Sequence, residues 1–391
     1  ITTRLVGSEM CIRDSMKTVK NLLFLAVLVS FFAACSSDDD KVGNWKKVES
    51  FGGTGRVGAV TFTIGDVAYV GLGIDQYANE LKDFWTCTLT GQDLIWQRAE
   101  TLPDDFKPRY GATAFSDGTS AFVGLGYAQN AAAGGSGKSE YFKDFWKYTP
   151  GQGWTKLTDF PGTPRQYALG FYVPKAGGRG KAYVAYGYYS DGNDKVGAMK
   201  DWWEYDLDTD TWTEMNEVFG DKRAGACVAV IGETAYIFTG ADGSSYPNDV
   251  IKFTPYQSVK FAKLDVLKDT DYHNYDGDYG KIPRGYATAF VVGKEEDKTA
   301  RIYLATGARG SVLSDCWEFN PYRGETGRWD EVTSFPSGHY RQAAVAFVLD
   351  NRGYVATGGS NFSVAQSGYT TTDVTTYLFQ PGVKDDDQDD D

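Results

Sequence analysis

The sequence is poor in the residues on which several common kinds of protein depend. Its 391 residues include 12 prolines, five cysteines and two histidines, and few long runs combine alanine, leucine, glutamate and lysine. This composition argues against extended helices, and the many short apolar runs that end in Gly, Asp or Asn indicate an all-β fold. Cys87, Cys227 and Cys316 have no CxxC partner and form no four-cysteine framework. We interpret them as small buried hydrophobic residues.

Positive charge is also scarce. The chain has 39 basic and 52 acidic residues. Residues 1–34 contain four of the basic and two of the acidic residues. The expected mature chain from Cys35 onward therefore has 35 basic and 50 acidic residues and a net charge of −15. This balance argues against nucleic acid as a partner.

The apolar run near the N-terminus has the pattern of an export signal. Lys17 and Lys20 precede it, and it is too short to cross a bilayer. It ends in Phe-Ala-Ala-Cys at Cys35, which resembles a bacterial lipobox. The resemblance implies lipidation at Cys35, with ordinary secretion as the alternative. It predicts a lipoprotein of the outer membrane of a Gram-negative bacterium, periplasmic or surface-exposed, which contacts the membrane through the lipid anchor only.

These features divide the chain into five parts. We interpret residues 1–15 as a non-native extension, residues 16–34 as the lipoprotein signal peptide and residues 35–44 as a tether. The folded domain is expected over residues 45–383. Residues 384–391, nearly all acidic, are expected to form a disordered tail.

A sixfold repeat fills the expected domain. An arginine followed by small residues opens each repeat, with spacings of 53, 56, 58, 61 and 57 residues. These arginines are Arg56, Arg109, Arg165, Arg223, Arg284 and Arg341. In each repeat a short strand then ends in glycine, an aspartate heads a third strand, and a Trp or Phe marks a fourth. The aspartates are Asp83, Asp144, Asp201, Asp249, Asp315 and Asp373.

This pattern resembles the kelch repeat over nearly all of the mature chain. The resemblance implies a six-bladed β-propeller of four-stranded blades. Only five fourth strands follow the six arginines, at Trp96, Trp154, Trp212, Phe261 and Trp329. The segment at Trp45 supplies the sixth, so the N-terminal strand is expected to close the ring and remove its exposed edges.

The arginines are the candidate ligand-binding residues. All six are expected to ring one mouth of the axial channel, where a set of guanidinium groups requires internal carboxylates or an anionic ligand. Two interpretations stay open. Each arginine pairs with the aspartate of the neighbouring blade or with a loop carbonyl, or two or three of them bind a carboxylate-bearing ligand. The repeated aspartates are expected to accept backbone N–H groups at strand starts.

Loops on the same face differ between blades and suit carbohydrate or peptide ligands, notably residues 124–141, 188–193 and 360–363. The insertion over residues 269–278 clusters Asp269, Asp271, Asp276 and Asp278. Its spacing misses the calcium-loop template, so we favour a solvated loop over a calcium site. No metal site and no cofactor are predicted.

Two classes of function remain. Kelch proteins include galactose oxidase, whose copper site needs two histidines, two tyrosines and a cysteine brought together. The two histidines here are His273, in the insertion, and His339, just before Arg341, so we do not expect copper oxidase activity. We favour a binding module for a carbohydrate or protein ligand over an enzyme. The enzymatic alternative is a mutarotase or epimerase of an acidic sugar such as N-acetylneuraminate, because six-bladed kelch proteins with arginine-lined pockets include that activity. The resemblance carries over no catalytic residue.

Overall fold

The computed structural model describes residues 41–129, 139–192, 196–361 and 371–384. Within these ranges the chain consists of strands and loops, with one short 3₁₀ helix at Tyr279–Lys281. No helix in the described ranges is long and apolar enough to span a membrane. The predicted signal peptide, Cys35 and the tail beyond residue 384 lie outside the described residues.

Six antiparallel four-stranded sheets follow one another along the chain, which confirms the predicted six-bladed propeller. The first strand, β1 (Val42–Val48), belongs to the sixth sheet. Blades 1 to 3 contain β2 (Val60–Ile64), β3 (Val67–Gly71), β4 (Phe84–Thr90) and β5 (Asp93–Arg98); β6 (Thr113–Ser116), β7 (Ala121–Gly124), β10 (Phe145–Thr149) and β11 (Gly153–Lys156); and β12 (Leu169–Lys175), β13 (Gly178–Ala185), β16 (Trp202–Asp206) and β17 (Thr211–Glu214).

The second half of the ring repeats this order. Blades 4 to 6 contain β18 (Cys227–Ile231), β19 (Thr234–Phe238), β20 (Ile251–Phe253) and β21 (Phe261–Lys263); β22 (Thr288–Val292), β23 (Arg301–Ala305), β26 (Cys316–Asn320) and β27 (Arg328–Val332); and β28 (Val345–Leu349), β29 (Arg352–Ala356), β30 (Thr376–Lys384) and β1. Short hairpins extend three blades at one face: β8 (Tyr127–Ala128) with β9 (Glu140–Tyr141), β14 (Tyr188–Ser190) with β15 (Val196–Ala198), and β24 (Ala308–Arg309) with β25 (Ser311–Val312).

The burial of each strand follows its place in the blade. The first strands contact those of both neighbouring blades around the axis and alternate between buried and half-buried residues, as in Val60–Ile64. The second strands lie between their neighbours and are buried on both faces, as in Ala121–Gly124. Each interface between neighbouring blades is filled by an apolar, largely aromatic cluster.

The N-terminal strand closes the ring as predicted. Strand β1 pairs antiparallel with β30 and places Trp45 opposite Phe379. The Trp45 ring is buried against Phe335 and Phe379, each with a ring-centroid distance of 4.8 Å, and its indole N–H donates to the Thr333 carbonyl at 3.2 Å. The last strand of the sixth blade therefore comes from the start of the described chain.

Two rings of backbone hydrogen bonds join the blades near the axis. In the outer ring, the glycine that follows each second strand donates its N–H to the carbonyl of the next blade's arginine; Gly358 donates to Arg56 and completes the circle. In the inner ring, the residue two positions after each arginine donates to its counterpart in the preceding blade at 2.7–3.0 Å. The inner ring consists of Gly58, Gly111, Tyr167, Gly225, Tyr286 and Ala343.

The three cysteines of the domain lie where the sequence placed them. Cys87, Cys227 and Cys316 are buried and unpaired with one another. Burial raises the pKa of the three thiols to about 12, about 11 and about 12. They are small apolar core residues at neutral pH.

Candidate functional site

The six repeated arginines are fully buried and bind the propeller itself. Each guanidinium pairs with the aspartate that heads the third strand of its own blade. Three of the pairs are bidentate, as in Arg109, which reaches both carboxylate oxygens of Asp144. The pairs are Arg56–Asp83, Arg109–Asp144, Arg165–Asp201, Arg223–Asp249, Arg284–Asp315 and Arg341–Asp373.

The remaining donors of each guanidinium bind backbone carbonyls in the same way in every blade. Nε donates to the carbonyl two residues earlier at 2.8–3.0 Å. Nη1 donates to the residue that follows the second strand, at 2.9–3.3 Å. This acceptor residue has a positive φ in all six blades, for example 58° at Leu72 and 61° at Tyr186. The arginine thus holds a backbone turn that costs about 1–3 kcal/mol to form.

This geometry corrects two expectations from the sequence. The arginines pair with the aspartate of their own blade and not of the neighbouring one, because the third strand starts beside the end of the second strand, to which it pairs. The aspartates chiefly accept side-chain donors: Arg, and in four blades the indole N–H two residues later, as in Trp85 to Asp83. Binding of a ligand's carboxylate by the arginine ring stays a prediction that no exposed guanidinium supports.

The ion pairs predict a loss of stability in acid. Burial alone raises the pKa of Asp83, Asp144, Asp201 and Asp373, but the adjacent arginine outweighs it, and the pKa of each is below its ordinary 3.8. Their contribution is therefore complete from about one pH unit above the unfolded-state pKa of 3.8 and is lost as pH falls through the folded-state pKa. Urea unfolding between pH 7 and pH 3 should show a free energy that drops below about pH 5. A constant free energy down to pH 3 would contradict the pairing.

The axial mouth is built from one layer of the six blades. The residue after each arginine forms an antiparallel bridge with the residue after the glycine that follows each second strand. The bridges are Val57–Ile74, Tyr110–Tyr127, Gln166–Tyr188, Ala224–Ala241, Gly285–Ala308 and Gln342–Gly359. Blades 2 and 3 present large aromatic and amide side chains, whereas blades 4 and 5 present only alanine and glycine. The layer is therefore asymmetric, with an aromatic wall facing small residues.

A row of tyrosine rings runs from the axis across this wall. Successive ring centroids are 5.1, 6.5, 5.5, 4.5 and 5.0 Å apart. We call it the tyrosine row; its members are Tyr286, Tyr167, Tyr110, Tyr127, Tyr141 and Tyr189. Tyr110 is buried and the other five are half-buried. Burial raises the pKa of Tyr110, Tyr141, Tyr167 and Tyr286, so these hydroxyls stay neutral at physiological pH.

A buried amide accompanies the tyrosine row. Gln166 is 0% exposed and lies beside the Tyr141 hydroxyl. Neither its carboxamide oxygen nor its nitrogen has a partner with hydrogen-bond geometry among the described residues. A buried amide without well-formed hydrogen bonds costs stability, a cost that an ordered water or a bound ligand with polar groups would relieve.

Two tyrosines of the inner ring form the floor of the mouth. The Tyr167 and Tyr286 rings meet edge to face and line a small axial cavity of about 120 Å³ together with alanines and glycines. Both have a positive φ, 52° and 56°. A side chain at Gly225 would place its Cβ 2.4 Å from Cδ1 of Tyr286. The missing side chain at Gly225 therefore leaves space for the Tyr286 ring.

Replacing Gly225 with alanine tests this packing. We expect the free energy of unfolding to fall by about 1–3 kcal/mol, because φ is +58° and the Tyr286 ring must move. Ala343→Gly is the matched control at the same ring position, and its change should stay below about 1 kcal/mol. Chemical denaturation measures both. Equal losses for the two variants would contradict the packing of Tyr286 on Gly225.

Other candidate residues lie apart from the tyrosine row. In the insertion before Arg284, Asp269 accepts the Gly280 N–H and Asp276 is buried with one oxygen bound to Thr270. No three His, Cys, Asp or Glu side chains in the described ranges are grouped to hold a metal ion. The variable loops predicted at residues 124–141, 188–193 and 360–363 are described only in part. Residues 130–138, 193–195 and 362–370 lie outside the described residues.

Glu80 and Arg309 are among the charged residues beside the mouth. Glu80 accepts the Gln129 N–H at 2.7 Å, and its charge contributes to the raised pKa of Tyr110, after burial and the neighbouring Tyr127. Arg309 follows the bridge residue of blade 5 and is exposed; its Nη1 donates to the Gly280 carbonyl at 2.7 Å. Unlike the six repeated arginines, Arg309 forms no ion pair with a carboxylate in the described chain within 4 Å.

Comparison with known proteins relates this arrangement to two others. No family model matches the chain. A curated N-acetylneuraminate epimerase from Pasteurella multocida (strain Pm70) is 24% identical over 297 residues, which cover 68% of this chain and 72% of the relative. The solved structure of YjhT superimposes with a TM-score of 0.63 at 18% identity, over 85% of this chain and 96% of that one. Both fit a kelch-type propeller. At this identity the structural match shows the fold alone, and the similarity to the epimerase is distant.

Sequence reasoning located the mouth but missed its composition. The signal was present in the two residues after each repeated arginine, which read Tyr-Gly in blade 2, Gln-Tyr in blade 3 and Gly-Tyr in blade 5. These residues, and not the arginine before them, line the axial mouth.

Proposed function

We propose that the protein binds a carbohydrate at the axial mouth, on the tyrosine row and Gln166. The observation that carries the proposal is the buried carboxamide of Gln166, which lies beside the Tyr141 hydroxyl without a well-formed hydrogen bond in the described residues, next to a row of buried and half-buried aromatic rings. A sugar ring offers C–H groups on its face and hydroxyls at its rim, which complement an aromatic face and an amide. Pockets of this kind combine apolar walls with a few placed polar groups.

The choice of sugar rests on similarity and charge. The distant relative is named for N-acetylneuraminate, and Arg309 is the exposed guanidinium beside the bridge layer. We therefore propose Arg309, and not the six buried arginines, as the partner of a sugar carboxylate. A charge-assisted bond of this kind contributes about 1.5–3 kcal/mol. A protein or peptide ligand is the competing possibility, and the sugar titration distinguishes it.

Calorimetric titration with N-acetylneuraminate, N-acetylglucosamine and galactose tests the proposal. Tyr141→Ala should lower the affinity for whichever sugar binds by about tenfold, the equivalent of about 1.4 kcal/mol. Tyr272→Ala is the matched control, because Tyr272 is 91% exposed and outside the tyrosine row. Loss of affinity in the control but not in Tyr141→Ala would contradict the site.

Gln166→Met separates binding from scaffolding. Its amide forms no well-formed hydrogen bond in the described residues and only lies beside the Tyr141 hydroxyl, so the variant should unfold at the same or a higher denaturant concentration. Sugar affinity should fall by about three- to tenfold, because one or two hydrogen bonds are lost. A variant that loses stability and keeps affinity would assign Gln166 to the scaffold.

A second candidate function is exchange between the anomers of the bound sugar. The similarity to an epimerase favours it, and we propose Glu80, which accepts the Gln129 N–H near Tyr110, as the candidate general base. Proton NMR of freshly dissolved α-N-acetylneuraminate would follow the exchange. The proposal requires acceleration over buffer and its loss in Glu80→Gln; a wild-type rate equal to buffer would leave a binding protein only.

A further inference from the structure

A groove between blades 2 and 3 opens on the same face as the mouth. It encloses about 620 Å³ and is bordered by the turn over residues 161–164. The side chains used below are Lys143, Tyr189, Asp191, Asp201, Trp203 and Glu214. None of the repeated arginines and none of the inner ring lines it, so this groove is distinct from the axial cavity.

The groove continues the tyrosine row outward. Tyr189 lines the groove and its ring centroid lies 5.0 Å from that of Tyr141, at an angle of 61°. Ring contacts therefore run without a break from the floor at Tyr286 and Tyr167, through the buried Tyr110 of blade 2, to the groove. A ligand of a single sugar unit cannot cover this length, because five successive ring contacts separate Tyr286 from Tyr189.

The walls of the groove are rigid and aromatic. Trp203 is half-buried, packs edge to face on Phe160 at 5.3 Å and donates its indole N–H to Asp201 at 2.8 Å. Asp201 is in turn neutralised by the buried Arg165 at 2.7 Å. A Cβ at Gly162 would lie 3.1 Å from the Trp203 ring, so the turn over residues 161–164 covers one side of the indole closely. The aromatic wall is thus held in place before any ligand binds.

The charged side chains of the groove determine which kind of ligand it can bind. Apart from the neutralised Asp201, the groove holds one amine, Lys143, and two exposed carboxylates, Asp191 and Glu214. The Lys143 amine contacts the Pro161 carbonyl at 3.3 Å. Carboxylates accept hydrogen bonds from sugar hydroxyls and repel an anion. An uncharged sugar unit fits this balance, and an acidic one does not.

We propose that the groove is an extension subsite for uncharged sugar units of an oligosaccharide whose terminal unit lies at the axial mouth. The proposal rests on the proposed carbohydrate-binding function and specifies its ligand class as an oligosaccharide. Aromatic contact with Trp203 and hydrogen bonds to Glu214 and Lys143 supply the added affinity.

The experiment compares each monosaccharide with its longer form by calorimetry. The probes are N-acetylneuraminate against sialyllactose, and N-acetylglucosamine against its linear trimer. The longer member of the pair that binds should bind about tenfold more tightly than the shorter one, as expected for one or two added hydrogen bonds. Trp203→Ala and Glu214→Ala should abolish this gain and leave monosaccharide affinity unchanged. The Glu214 side chain is exposed and forms no hydrogen bond to another residue in the described ranges, so the Glu214→Ala variant should keep the fold.

Glu217→Ala is the matched control, because Glu217 is exposed and lines the adjacent groove toward blade 4 instead. It should keep the gain. Equal affinity for short and long sugars, or a gain retained in both Trp203→Ala and Glu214→Ala, would overturn the extension subsite while leaving the mouth intact. Absence of binding by all four sugars would overturn the carbohydrate function and the subsite with it.

Discussion

Replacing Asp249 with alanine is expected to lower the free energy of unfolding by about 3–5 kcal/mol. The Arg223 and Asp249 side chains are 0% and 4% exposed, the deepest burial among the six repeated pairs. Removing the carboxylate leaves a guanidinium in the core without its counter-charge, and water cannot replace it. The midpoint of urea denaturation, monitored by tryptophan fluorescence, measures the loss.

Two comparisons isolate the cost of the unpaired charge. The double variant Arg223→Met, Asp249→Leu removes both charges and should lose less than Asp249→Ala alone, because apolar replacement of a buried pair is often near neutral. Asp330→Ala breaks the exposed Arg323–Asp330 pair, whose side chains are 50% and 53% exposed, and should cost below about 1 kcal/mol. An Asp249→Ala variant as stable as Asp330→Ala would contradict the scaffold role of the arginine ring.

Trp45→Ala is expected to cost about 3–5 kcal/mol, the range of large aromatic truncations in a core. Trp45 is 5% exposed, contacts Phe335 and Phe379, and also reaches Phe290 at 6.4 Å. The loss falls on the one blade whose outer strand comes from the other end of the chain. Deleting residues 41–48 should cost more, since it also exposes the edge of β30.

A surface substitution in the same strand provides the control for Trp45. Lys46 is exposed and its neighbour in β30 is Leu378, so Lys46→Ala should change the free energy of unfolding by less than about 0.5 kcal/mol. Thermal unfolding of the three proteins gives the comparison. A Trp45→Ala variant with the same melting temperature as the Lys46→Ala variant would contradict closure of the ring by β1.

The repeat made most of the fold predictable. Counting outer strands left one blade incomplete, and the Trp45 segment matched the missing strand in composition, so closure followed from the sequence. The alternation of burial in the first strands and the aromatic filling between blades follow from strand geometry and from the Trp, Phe and Tyr content.

The partners of the arginines were not predictable in the same way. Each repeat contains one arginine and one aspartate, so the sequence is compatible with pairing within a blade or between blades. The choice depends on the turn at Leu72 and its counterparts, where a positive φ brings the carbonyl toward Nη1. Such a turn is visible only in three dimensions, because leucine, tyrosine and threonine occupy it and none of these residues is a sequence signal for a positive φ.

The candidate site was missed for a related reason. Tyr141 and Tyr189 lie in loops of different blades and Gln166 follows an arginine that drew the interpretation toward charge. Their convergence depends on the hairpins β8–β9 and β14–β15, which extend the two neighbouring blades at one face.

A crystal structure of the wild-type protein with bound sialyllactose tests the carbohydrate site most directly. Sugar is predicted at the axial mouth, with a polar atom about 3 Å from the Gln166 carboxamide and a ring over Tyr141 or Tyr189. Further units should extend toward Trp203. Sugar bound on the opposite face of the propeller, or elsewhere with the mouth of Gln166 and Tyr141 unchanged and empty, would contradict the proposed site.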